Sequence, residues 1–168
     1  MTESPANGKG SHQIVLILDD DVMLTEGLAA ALARPGRTLI TCNDLEGGEL
    51  IVEWLHPSHV VSDVRLTGEF AYEGLDFIRF VKRASPDTRI VLMTGNAPDN
   101  LQLEASERGA VGFLQKPFEI AELDAVLDMM APTREGSPDW PEVMAIPLLE
   151  QVLTDGSLGT AFQPIVRL

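Results

Sequence analysis

The sequence predicts an α/β protein: a doubly wound parallel sheet of five βα units, carried by most of a 168-residue chain. Three observations point to it. From residue 14 onward, five short apolar runs alternate with five segments of helical character. The first run is continuously apolar, as expected of a strand buried on both faces. Four of the runs stop on groups with chemistry: Asp19, Asp20 and Asp21 after the first, Asp63 after the third, Thr94 after the fourth and Lys116 after the fifth. Consecutive βα units close into a parallel sheet through right-handed crossovers, with helices on both faces.

The first strand is "IVLIL" (14–18), followed by the Ala/Leu-rich helix "VMLTEGLAAALA" (22–33), which Pro35-Gly36 ends. "RTLITC" (37–42) is the second strand. "LEGGELIVEWL" (45–55) reads as a weaker helix because it contains two glycines. "HVVSD" (59–63) is the third strand. "GLDFIRFVKRA" (74–84) places Leu75, Ile78 and Val81 on one apolar face beside Phe77. "RIVLMT" (89–94) is the fourth strand, and "PDNLQLEASERG" (98–109) a polar helix stopped by Gly109. "VGFLQK" (111–116) and the helix "EIAELDAVLDMM" (119–130) complete the set.

Composition bounds the function. The 26 acidic and 12 basic side chains give a formal charge of −14, which repels nucleic-acid phosphates and anionic lipid surfaces. The single cysteine, Cys42, cannot form an internal disulfide and reads as a small strand residue in a cytoplasmic protein. The opening "MTESPANGKGSHQ" has no apolar core of a signal peptide, and no stretch is long enough to span a bilayer. Residues 1–12 read as a disordered tail and 13–130 as the folded domain. The Pro-rich stretch 131–147 reads as a linker. Residues 148–168 read as a helix, a turn and a strand, a C-terminal extension too small to bury a core of its own.

In sheets of this kind the chemistry collects beyond the strands' C-terminal ends, at the switch point of the strand order. Acids, a hydroxyl and an amine meet there. Two carboxylates about 4 Å apart repel by roughly 4 kcal/mol at a surface-like dielectric, so something must offset them. A hard divalent cation does so: Mg2+ (or Mn2+) takes oxygen ligands and is held by one or two carboxylates together with a phosphoryl oxygen. Asp20 and Asp63 could bind it directly, Asp19 through water, and the main-chain carbonyl of Arg65 completes the protein's share. One carboxylate can then attack phosphorus, with Lys116 and Thr94 stabilising the transferring group. Asp21 sits where a helix N-cap acid is favourable and is not expected to be a ligand.

Residues 13–130 resemble the receiver domain of two-component response regulators through "LILDDD", "VVSD", "VLMTG" and "GFLQKPF", in that order. The resemblance implies the flavodoxin-like arrangement of the doubly wound sheet. It makes Asp63 the phosphoacceptor, Asp19 and Asp20 the acidic metal-binding pair, and Lys116 the phosphate-binding lysine. Thr94 becomes the switch hydroxyl, Phe113 the aromatic that reports phosphorylation, and Pro117 part of a Lys-Pro bond that is often cis. The implied partners are a sensor histidine kinase, the protein's own output domain and a second copy of the chain. One departure stands out. "VRLTGEFAYEG" between Asp63 and Gly74 is longer than the family's usual loop and lacks its proline. The last residues, "GTAFQPIVRL", resemble the opening of EAL domains, which hydrolyse cyclic di-GMP, although no EAL catalytic motif is present.

Two other readings compete. "LDDDVML", "MTGN" and Lys116 also fit haloacid-dehalogenase-type phosphatases, with Asp19 as nucleophile and Asp21 as acid/base. That scheme requires paired acids at a later strand end, yet Asp124 and Asp128 fall on a helix, and Asp63 is left without a task. The third reading is a receiver-shaped interaction module that is never phosphorylated. His56 and His59 in "HPSH" read as a turn rather than a metal site. Trp54 and Trp140 lack the surroundings of a nucleic-acid stacking platform.

Overall fold

A computed structural model of the chain describes residues 12–66, 73–95 and 100–129. The expected linker, the C-terminal extension, residues 1–11 of the tail and residues 67–72 of the long loop lie outside the described residues. So do residues 98 and 99, at the expected start of the fourth helix. Among the described residues ten elements alternate: β1 (Gln13–Leu18), α1 (Val22–Leu32), β2 (Arg37–Cys42), α2 (Leu45–Leu55), β3 (His59–Asp63), α3 (Glu73–Ala84), β4 (Arg89–Thr94), α4 (Leu101–Glu107), β5 (Gly112–Gln115) and α5 (Ile120–Met129). All five strands are parallel, in the order β2-β1-β3-β4-β5. The order reverses between β1 and β3, so the crevice beyond their ends is the switch point.

Both faces of the sheet are covered, which explains the continuously apolar strands. On one face Leu16, Leu18, Val60, Ile90 and Leu92 pack against Ile51 and Val52 of α2, Phe77, Ile78 and Val81 of α3, and Leu101 and Ala105 of α4. On the other, Val15, Ile17, Val61, Val91 and Met93 meet Leu28, Ala29 and Leu32 of α1 and Leu123 and Leu127 of α5. Alternate strand residues serve alternate layers, as the period of a strand requires. Each fully buried aliphatic side chain contributes about 1.5–3 kcal/mol of transfer free energy.

Local sequence sets the helix ends. Asp21 caps α1 by accepting from the Leu24 amide at 3.1 Å, and Asp44 caps α2 by accepting from the Gly47 amide at 2.7 Å. Gly109, at φ +105°, ends the α4 segment in a conformation that excludes most other residues. The α4 helix is shorter than the sequence pattern suggests, because Arg108 already serves as its C-cap. The fifth strand also stops earlier than expected. Gln115 is its last residue, and Lys116 belongs to the turn that follows, where the Lys116–Pro117 bond is cis.

The weaker helix proves complete. Its two glycines let α2 approach the sheet closely: a Cβ on Gly47 would lie 2.8 Å from the Cys42 Sγ, and one on Gly48 3.0 Å from Leu18 Cδ2. His56 closes α2 as a left-handed C-cap at φ 45°, while His59 is fully buried at the start of β3 with its Nδ1 3.0 Å from the Ser58 hydroxyl. The "HPSH" stretch, expected to be a turn, is the short connection from the α2 C-cap into the first residue of β3.

Candidate functional site

The β1 strand runs out at Leu18, and the chain turns at once into α1. Asp19 is therefore held at the end of a buried ladder, 1% exposed, with Asp20 exposed beside it. Its main-chain N–H donates to the Cys42 carbonyl at 3.2 Å, extending the β1–β2 ladder by one bond. Its Oδ1 accepts from the Asp21 amide at 2.9 Å, which directs Oδ2 into the crevice. Asp63 closes β3, the next strand across, and accepts from the Val64 amide at 2.8 Å. Carboxylate oxygens of Asp19, Asp20 and Asp63 all lie within 4.8 Å of one another.

Lys116 reaches this cluster from the turn after β5. Its Nζ lies 2.6 Å from Asp19 Oδ2 and 3.5 Å from Asp63 Oδ2, so one cation bridges two of the three acids. Its own amide donates to the Thr94 carbonyl at 2.7 Å, which ties the lysine's turn to the end of β4. Thr94 is 1% exposed and follows Met93, the residue in register with Asp63. Burial pushes the Asp63 carboxyl above the ordinary carboxylate range; Lys116 pulls it down and Asp19 pushes it further up.

The remaining expected residues fall nearby in chain or register. Arg65 lies two residues past Asp63 in the same loop and is half-buried. Phe113 sits in β5, in register with Leu92, half-buried against the apolar layer under α2, α3 and α4. Gly74 packs under the acid's own backbone: a Cβ there would lie 2.5 Å from the Asp63 carbonyl oxygen and 2.7 Å from Val64 Cα. Asp124 and Asp128, the acids available to a phosphatase scheme, pair instead with Arg34 and Arg37 at the strands' opposite ends.

Asn43 escaped the sequence reading. Its side-chain amide donates to the Asp19 carbonyl at 2.8 Å and to the Thr25 hydroxyl at 3.2 Å. An asparagine just after a strand reads as an ordinary turn residue. The available signal was its place on the same sheet edge as the acids.

Comparison with known proteins agrees with this fold. The fold matches the beryllofluoride-activated NtrC4 receiver domain dimer with a TM-score of 0.64 and 29% identity, over 70% of this chain and 95% of that one. Among curated proteins, the chain is 30% identical over 118 residues to the photosynthetic apparatus regulatory protein RegA of Cereibacter sphaeroides, covering 70% of this chain and 62% of RegA. It is 31% identical over 118 residues to the DNA-binding transcriptional regulator NtrC of Escherichia coli, covering 68% of this chain and 24% of NtrC. The fold and these relatives place the domain among signalling domains. Residues 15–128 match the response regulator receiver domain, and the chain belongs to that family. No helix among the described residues is long and apolar enough to cross a membrane.

Proposed function

We propose that this receiver domain is a phosphorylation-dependent switch in which Asp63 accepts a phosphoryl group from a sensor histidine kinase. The observation that carries the reading is the placement of Lys116 Nζ between Asp19 and Asp63 inside a cluster of three carboxylates. An oxygen of Asp63 forms the new bond to phosphorus as the bond to the donor imidazole nitrogen breaks, giving an acyl phosphate. Lys116 neutralises charge on the transferring group, and the Thr94 hydroxyl donates to a phosphoryl oxygen.

The acidic cluster suits a hard cation. All its donors are oxygens, and their 4.8 Å spread is close to the roughly 4.2 Å diagonal of a Mg2+ coordination shell. Asp19, Asp20, Asp63 and the Arg65 carbonyl would hold Mg2+ (or Mn2+), which supplies further neutralisation of the phosphoryl oxygens. The new charge at Asp63 biases a two-state arrangement of Thr94, Phe113 and the α4–β5–α5 side of the domain. A second copy of the chain is a proposed partner on that route. The proposed output, from the "FQPIV" stretch near residue 165, is an EAL-type domain, with the whole protein acting in the cytoplasm.

Intact mass after incubation with acetyl phosphate tests the reading. One phosphoryl adduct that requires Mg2+ and disappears in Asp63→Asn is expected. A folded protein that binds Mg2+ yet takes no adduct would support a phosphorylation-independent module. An adduct kept in Asp63→Asn and lost in Asp19→Asn would restore the phosphatase scheme.

A further inference from the structure

The acid pair depends on a grip that comes from the neighbouring strand. Asp19 is held at both ends of its backbone by the end of β2: the Cys42 carbonyl accepts from its N–H, and the Asn43 side chain donates to its C=O. The second bond matters more for the site. The Asp19 carbonyl belongs to the peptide plane that joins Asp19 to Asp20, and a peptide is rigid. Fixing that oxygen fixes where the Asp20 side chain departs relative to that of Asp19. Asn43 is itself aimed by Thr25, a fully buried residue of α1 whose hydroxyl accepts from Asn43 and donates to the Val22 carbonyl at 3.0 Å.

We propose that Asn43 is a positioning residue: its amide, held between the Asp19 carbonyl and the Thr25 hydroxyl, sets the separation of the two adjacent carboxylates that hold the divalent cation. The inference rests on the phosphorylation-dependent reading of the site and deepens it. Three like charges within 4.8 Å repel, and without a divalent cation Lys116 offsets only Asp19 and Asp63, so the cost of keeping Asp20 beside Asp19 falls on the scaffold. A partner that orients a ligand without touching the metal typically accounts for 10–100-fold in affinity. Asn43 also occupies a place that no turn requirement imposes, because Asp44, the next residue, already caps α2.

Mg2+ titration by calorimetry on wild type, Asn43→Ala and Thr25→Val, alongside acetyl phosphate labelling across Mg2+ concentrations, provides the test. Asn43→Ala should weaken Mg2+ binding about tenfold and raise the half-saturating Mg2+ for labelling to match. The labelling rate at saturating Mg2+ should stay within about twofold. Thr25→Val keeps the buried shape and removes the hydroxyl, so a smaller loss in the same direction is expected. In metal-free protein, hydrogen exchange at the Asp20 amide, which shares the gripped peptide, should accelerate in Asn43→Ala. Unchanged Mg2+ affinity and Asp20 exchange in Asn43→Ala, with only a lower Tm, would overturn the inference and leave the phosphoacceptor reading standing. Wild type that binds no Mg2+ would overturn both.

Discussion

At Asp63 the fold holds a carboxylate where folding alone favours a neutral group. Its pKa is raised by burial and by Asp19, with Lys116 opposing, so the native state binds the Asp63 proton more tightly than the unfolded chain does. The contribution to stability is greatest below the unfolded value of 3.8 and is lost as pH rises through the folded pKa. At pH 7 the ionised group is a net burden. In EDTA at pH 7, Asp63→Asn should therefore raise Tm, and the gain should vanish near pH 3.5. A lower Tm at pH 7 would mean that the Lys116 contact outweighs burial. Cys42 obeys the same sign on a different group. Burial pushes its thiol up to about 11, so its stabilising contribution persists below pH 9 and fades between 9 and 11. At pH 8 a disulfide reagent should label the native thiol at least about 100-fold more slowly than the unfolded one.

Among the elements, α1 and α2 show that a helical glycine is decided by the space around it. Gly27 in α1 is exposed and a Cβ there would meet nothing within 4 Å, so Gly27→Ala should stabilise by about 0.5–1 kcal/mol through helix propensity and unfolded-state entropy. The Gly47 position would force a Cβ to 2.8 Å from the Cys42 Sγ, a short side chain with little room to retreat. Gly47→Ala should cost about 1–2 kcal/mol in spite of the same propensity gain. Thermal unfolding of the two variants side by side checks both signs. The contrast also marks what a sequence carries. Five strands were legible because buried runs such as Ile14–Leu18 are apolar throughout, and Asp63 was legible because counting βα units places it at the switch point. The firmness of α2 was not, since it depends on Cys42 and Leu18 across the sheet. Asn43 was hidden for the same reason: its partners, Asp19 and Thr25, lie 24 and 18 residues away.

Across the whole molecule, the two ends of the sheet divide the work. The crevice beyond Leu18 and Asp63 gathers carboxylates that repel, whereas the strands' starting ends carry a network that attracts. Arg37 opens β2 with its side chain fully buried; it donates to Gln13 Oε1 at 2.8 Å and the Leu32 carbonyl at 3.3 Å, and pairs with Asp124 at 2.6 Å and Asp128 at 3.1 Å. One guanidinium thus joins β1, β2, the end of α1 and the last two turns of α5. Arg34 reaches the same two acids from a more exposed position. A charged residue at the start of an apolar strand reads as a surface group, so this clamp was not legible in the sequence. Removing a buried partner leaves the others poorly satisfied, but Asp124 and Asp128 retain access to water. Arg37→Ala should therefore cost about 2–3 kcal/mol, below the 3–5 of a fully buried pair, while Arg34→Ala should cost under about 1 kcal/mol and lose its effect in high salt. The clamp lies a full strand length, about 17 Å, from the acids. At a temperature where both variants are folded, Arg37→Ala should label with acetyl phosphate at the wild-type rate, and its stability loss should add to that of Asn43→Ala. Slower labelling in Arg37→Ala at 20 °C, with the fold intact by circular dichroism, would show instead that α5 transmits strain from the clamp to the acidic edge.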